Sequence, residues 1–232
     1  MPRSSRVVIP GVAHHVTQRG NRRMQTFFCE ADYAAYRAWV AEGCMVAGVE
    51  ILAYCLMPNH VHFIVVPAHP DALRFALAGA HRRYTSLINK RQRWQGHLWQ
   101  ERFHSFPMDD EHLIAAVRYV ELNPVRARLA ATPQAWKWSS AAAHMQGKSD
   151  GLVAAVLPPP LDRVGPWVDY LNEKPCAETG GQIQDHSLSG KPLGSGGFVA
   201  RLEALTGRTL QVRPRGRPAN EFPGGQNRNC PL

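Results

Sequence analysis

"MPNHVHFIVVP", Met57 to Pro67, sets two histidines one residue apart at the head of an apolar run. Side chains on a strand alternate between faces. His60, His62, Ile64 and Val66 therefore share one face, and Val61, Phe63 and Val65 share the other. Two imidazoles side by side on a rigid strand can chelate a metal ion. They can equally be two half-buried histidines hydrogen-bonded to neighbours, and this stretch alone leaves both readings open.

The neighbouring elements follow from this strand. "VEILAYCLM" (49–57) is an apolar strand, and the Pro58-Asn59 pair turns it into the histidine strand. Upstream, "GVAHHVTQRG" (11–20) alternates and ends in glycine, which predicts a first strand. Between them, residues 30–48 place Tyr33, Tyr36, Val40 and Cys44 near one helical stripe. Downstream, residues 69–92 predict a second helix, with Asp71 near its start and basic residues crowding its far end. "GHLWQERFHSF" (96–106) reads as a fourth strand. The order is that of a split βαβ, ferredoxin-like α+β fold: an antiparallel sheet with helices on one face.

"DDEHLIAAVRYVELNPVRARL" (109–129) predicts a third helix with an acidic start and an apolar stripe of Leu113, Ala116, Val117 and Val120. Pro124 disfavours helical backbone at Asn123, so the helix is expected to end about there. Tyr119 and Asn123 are four apart and share a helical face. The apolar stripe has no need of Tyr119.

The expected division is a first domain over 1–130, a helical extension over 131–178, and a last segment over 179–232. That segment comprises a Gly/Ser-rich linker to about Gly197, a short amphipathic helix and a basic Pro/Gly/Arg tail. No apolar run approaches a membrane span and the N-terminus has no signal-like segment, so a cytoplasmic location is expected, with no membrane partner. The five cysteines are scattered without C-x-x-C spacing, which argues against a disulfide framework or a cysteine zinc site. Lys and Arg number 27 against 18 Asp and Glu, a formal charge of +9, which points to a polyanion, above all a nucleic acid.

Taken together, "YCLMPNHVHFIVVP", "LWQERF" and "RYVELNPVRARL" resemble the single-tyrosine HUH transposases of the insertion-sequence 200-like kind, and within them the REP-associated tyrosine transposases. The resemblance covers the first half to two thirds of the chain. It implies that His60 and His62 are paired metal ligands, that Tyr119 is the nucleophile and that Asn123 is a third, polar ligand. The implied reaction cleaves and rejoins single-stranded, hairpin-bearing DNA through a 5′-phosphotyrosine, with a free 3′-OH and no nucleotide cofactor. The implied ion is Mg²⁺ or Mn²⁺, the second accepting imidazole more readily. The chain is expected to act as a monomer or a homodimer. A relative that binds palindromic DNA or RNA without cutting it is the alternative.

Phenolic attack on a phosphodiester conserves bond energy in the adduct. Tyr84 in "HRRYTSL" is a competing nucleophile. Of His14 and His15, adjacent on a strand, at most one can face the metal; His97, His104 and His112 are left without a role. The expected grip on DNA is Arg19, Arg22, Arg23, Arg82, Arg83, Lys90, Arg91 and Arg93, joined by Arg213, Arg215 and Arg217 of the tail, with Trp94 and Trp99 as stacking surfaces. "PRGRP" (214–218) resembles the core of an AT-hook.

Overall fold

The structure, a computed structural model, describes residues 6–173 and 177–211. Arg213, Arg215, Arg217 and the AT-hook-like stretch lie outside the described residues. Four strands, β1 (His14–Arg19), β2 (Val49–Met57), β3 (His60–Pro67) and β4 (His104–Pro107), form one sheet in the order β2-β3-β1-β4, antiparallel throughout. This is the ferredoxin-like arrangement that the element order implies.

Helices α1 (Glu30–Ala47) and α2 (Ala72–Gln92) cover one face. Their core there takes Val61, Phe63 and Val65 from β3, together with Tyr36, Val40, Leu73 and Tyr84. The two helices approach closely at Gly43, where an added Cβ would stand 2.2 Å from the Ala76 carbonyl oxygen. Only glycine fits that crossing.

The other face carries the histidines and is covered by α3 (Asp110–Glu121). Leu113, Ala116, Val117 and Val120, the stripe read from sequence, pack there on Ala53, Ile64 and Phe106. The Asp109 carboxylate caps the helix by accepting from the His112 N–H at 3.1 Å. Helices thus cover both faces, α1 and α2 on one and α3 on the other.

Two element boundaries differ from the sequence expectation. The fourth strand is confined to 104–107, because Leu98, Trp99 and Phe103 all turn into the aromatic core instead of alternating. Past Glu121 the backbone does not leave the helical region at Pro124. Leu122 stays helical (φ −83°, ψ −3°) and a short helix, α4 (Asn123–Arg126), follows with Pro124 in its first turn, where the missing N–H has no helical partner to lose.

The extension is built into this core. Residues 136–140 run along the free edge of β2: Leu56 N–H donates to the Trp138 carbonyl at 2.8 Å and Trp136 Nε1 donates to the Leu56 carbonyl at 3.0 Å. An exposed edge strand is thereby covered. Helices α5 (Ala141–Gln146) and α6 (Trp167–Asn172) then close around Glu121, which is fully buried. Its carboxyl accepts from Ser140 Oγ, His144 Nδ1 and Trp167 Nε1, each at 2.6 Å. The Gly/Ser-rich stretch expected as a linker instead carries helix α7 (Ala177–Ser189), whose Ile183 is buried among the residues packed on α3. Helix α8 (Gly196–Thr206) is the short amphipathic helix, with Phe198 and Leu202 on Val7 and Ile9.

Removing the Glu121 carboxyl strands three buried donors. Glu121→Ala is expected to lower the unfolding free energy by about 3–5 kcal/mol, the range for breaking a buried polar pair by deleting one partner. A urea denaturation loss of less than about 1 kcal/mol would show that the three donors find other partners.

Candidate active site

The pairing of β1 with β3 sets Thr17 opposite His62 and Arg19 opposite His60. Alternation brings His15, Thr17 and Arg19 to the histidine face, where α3 delivers Tyr119. The result is a cleft of about 530 Å³, lined by His15, Arg19, Arg23, His60, His62, Tyr119 and Asn123 among others, with Ile183, Gln184, Ser187 and Leu188 of α7 along one side. All four residues singled out for chemistry from the sequence therefore meet in one cleft within one chain. The rings of His60 and His62 lie 4.9 Å apart, centroid to centroid, and that of Tyr119 lies 6.0 Å from His62, edge to face.

Hydrogen bonds engage the Nδ1 atom of both imidazoles. His60 Nδ1 lies 2.6 Å from Asn59 Oδ1, while Asn59 Nδ2 donates to the Arg23 carbonyl. An amide oxygen only accepts, so His60 Nδ1 carries the hydrogen and Nε2 keeps its lone pair. His62 Nδ1 lies 2.9 Å from His15 Nε2, and their rings stack at 5.1 Å, nearly parallel. When His62 Nδ1 is the donor of that bond, Nε2 of His62 is free as well. Burial lowers the pKa of His60 to about 4, helped by Arg19, and holds that of His62 well below its usual value, helped by His60, His15 and Arg126. Both rings are neutral near pH 7, the form that ligates.

A divalent metal fits these donors. Two imidazole Nε2 atoms and the Oδ1 of Asn123 are available, because Asn123 uses Nδ2 to donate to the Tyr119 carbonyl at 3.3 Å. No group of three or more His, Cys, Asp or Glu suited to a metal occurs among the described residues. A set of two imidazoles and one amide oxygen leaves positions for phosphate and water and suits Mg²⁺ or Mn²⁺ better than a structural zinc site would.

Arg126 and His15 carry roles the sequence reading did not assign. The Arg126 guanidinium carbon sits 3.8 Å from the centroid of the Tyr119 ring, and its Nη2 donates to the Tyr119 carbonyl at 2.8 Å. The spacing of seven, two helical turns, was the available signal. His15 shares a face with Arg19 by alternation, but its place beside His62 depends on the β1–β3 register.

The expected DNA grip divides. Arg19 and Arg23 line the cleft. Arg83 is ion-paired with Glu42 at 2.6 Å, and Arg91 grips Asp32 through two bonds of 2.6 and 2.7 Å, so both are committed to carboxylates. Arg22, Lys90 and Arg93 are exposed and do not line the cleft, and Arg82 lines a separate groove. Trp94 is exposed, whereas Trp99 is largely buried among Tyr36, Tyr84 and His81 and offers no open stacking face. Tyr84 is fully buried, donates to the Thr26 carbonyl at 2.7 Å, and cannot reach a DNA strand from there.

Residues 9–123 match the family model for IS200-like transposases, a span running from just before β1 to Asn123. The chain belongs to the IS200-like transposase family. Among solved structures, a REP-associated tyrosine transposase bound to a REP hairpin is 20% identical, with 72% of this chain and 96% of that chain covered at a TM-score of 0.54, and shares the fold. A candidate transposase from Deinococcus radiodurans is 19% identical over 55% of this chain and 92% of its own, with a TM-score of 0.37. No curated protein matches the chain. No helix among the described residues is long and apolar enough to cross a membrane.

The buried histidines make the family fold acid-sensitive. Burial lowers His14 and His60 to about 4, and His15 and His81 to about 3. The unfolded chain takes up these protons first, near pH 6.5. Their contribution is complete above about pH 6.5 and is lost progressively as pH falls toward 4. The urea midpoint is expected to drop steadily from about pH 7 to about pH 5; a constant midpoint over that range would contradict the burial.

Proposed function

We propose that this transposase cleaves and rejoins single-stranded, hairpin-bearing DNA of the REP palindrome kind through a covalent bond to Tyr119. The observation that carries the reading is the meeting of Tyr119 with His60 and His62 in one cleft of one chain. Tyr119 Oη attacks the phosphorus, the P–O3′ bond breaks, and the phosphate stays on tyrosine at the 5′ end. The phenolic proton passes to solvent and the departing 3′ oxygen takes one up. Because the adduct keeps the energy of the broken bond, the reverse attack by a 3′-OH rejoins strands without a nucleotide cofactor.

A Mg²⁺ or Mn²⁺ ion held by His60 Nε2, His62 Nε2 and Asn123 Oδ1 would polarise a phosphate oxygen and offset charge developing at the phosphoryl group. Asn59 and His15 hold the two imidazoles through Nδ1 and leave Nε2 for the ion. Arg126 pins the phenol ring with its guanidinium over the ring face, and Arg19 and Arg23 supply positive charge for the strand on either side of the bond. With nucleophile and histidines drawn from one chain, a monomer is competent.

Incubated with Mn²⁺ and a labelled hairpin carrying single-stranded flanks, the protein is expected to form a denaturation-resistant adduct. Tyr119→Phe should abolish it while leaving hairpin binding within about twofold, since a lone hydroxyl adds little to backbone-dominated affinity. Persistence of the adduct in Tyr119→Phe, or its absence from the wild type, would exclude this chemistry.

His15→Phe keeps the stacked ring but removes the nitrogen facing His62 Nδ1. Loss of such an outer contact weakens metal affinity by about 10–100-fold, and titration calorimetry with Mn²⁺ on the DNA-free protein reads it directly. Unchanged affinity would mean that His15 does not orient His62.

A further inference from the structure

His104, the first residue of β4, also lines the catalytic cleft. The register sets it opposite Thr17, which on its other side faces His62 of β3. Directly paired residues of antiparallel strands share a face, so His62, Thr17 and His104 form one row across the sheet. With about 5 Å between paired Cα atoms, the two imidazoles start from backbone positions about 10 Å apart. Tyr119 stands at the histidine end of this space, its ring 6.0 Å from that of His62 and 6.4 Å from that of His15. A phosphodiester resting over the small Thr17 side chain would have the phenol on one side and His104 on the other. In such a displacement the leaving oxygen lies roughly in line with the attacking one, on the far side of phosphorus.

Four histidines line the cleft, and three of them are accounted for: His60 and His62 as metal donors, His15 as the partner of His62 Nδ1. His104 is not, and its side chain is 35% exposed. Its Nε2 lies 3.3 Å from Glu101 Oε1, the single acid lining the cleft. Arg19, Arg23 and Arg102 share the cleft with it, and Arg6, Lys191 and Arg208 share an adjoining recess that it also lines. When the ring is protonated, Nε2–H donates to Glu101 and Nδ1 carries a second hydrogen.

We propose that His104 is the general acid of cleavage and the general base of rejoining, resting on the reading of Tyr119 as the nucleophile. As Tyr119 Oη bonds to phosphorus and the P–O3′ bond breaks, the electron pair left on O3′ takes the proton of His104 Nδ1. The products are a free 3′-OH and a neutral imidazole. In rejoining, Nδ1 takes a proton from the attacking 3′-OH, the P–O3′ bond forms, and the departing phenolate takes one from solvent. Imidazoles exchange protons near neutral pH, and such a transfer contributes about 10²–10⁴-fold in rate.

The test replaces the leaving oxygen. The scissile bond is mapped with the wild type on a hairpin carrying single-stranded flanks, and the same substrate is then made with sulfur in place of that O3′. A thiolate leaves without a proton, because thiols are far more acidic than alcohols. His104→Ala and, separately, His104→Gln are expected to slow single-turnover adduct formation in Mn²⁺ by about 100-fold or more on the oxygen substrate, and by less than about threefold on the sulfur one. Calorimetry on the DNA-free variants should return the wild-type affinity for Mn²⁺. Equal slowing on both substrates, no slowing on the oxygen substrate, or a loss of Mn²⁺ affinity of about tenfold or more, as for a metal ligand or its support, would each overturn the proposal. A wild type that forms no adduct refutes the Tyr119 reading together with this one, whereas an adduct slowed equally on both substrates refutes the role of His104 alone.

Discussion

The position of the tyrosine helix depends on a buried carboxyl two residues beyond the tyrosine itself. Glu121 has no solvent, and three donors from the extension close on it, so α3 can neither rotate nor slide without stranding Ser140, His144 and Trp167. Unpaired buried polar groups are expensive enough to hold such an element in one register. Tyr119 is thereby aimed at β3, its phenol at the edge of the His62 ring. The same extension covers the open edge of β2. A segment that reads as an appendage thus sets the geometry of the cleft.

The sheet performs two tasks, one on each face. Towards α1 and α2 it offers Val61, Phe63 and Val65 to a dry aromatic core. Towards α3 it offers polar side chains, and each of the two histidines has its Nδ1 beside a neighbour: Asn59 for His60, His15 for His62. Strand backbone holds these rings more rigidly than a loop would, and a constellation of metal donors needs that rigidity. Arg126 does for the tyrosine what Asn59 and His15 do for the histidines, its guanidinium lying over the phenol ring.

Much of this was legible in the sequence because strand and helix periodicities are local. Alternation over 60–66 separated the histidine face from the core face, and the stripe at 113, 116, 117 and 120 oriented α3 with Tyr119 off the stripe. What escaped was set by contacts distant in sequence. The His15–His62 pair depends on strand register, and the Glu121 network joins residues 19 to 46 positions apart. Composition misread residues 179–197, where Ile183 has a buried place to occupy and a helix forms despite two adjacent glycines. The basic residues of α2 looked alike in sequence, and only the carboxylates opposite Arg83 and Arg91 tell those two apart from Arg82.

The central claim is that Tyr119 is the atom donor to DNA in a cleft assembled from one chain. Mass spectrometry of the covalent complex, digested with trypsin and nuclease, tests it most directly. The account predicts a nucleotide adduct on the peptide spanning residues 119–126, on the tyrosine. An adduct on any other tyrosine, such as buried Tyr84, or a complex with no modified tyrosine at all, would contradict it.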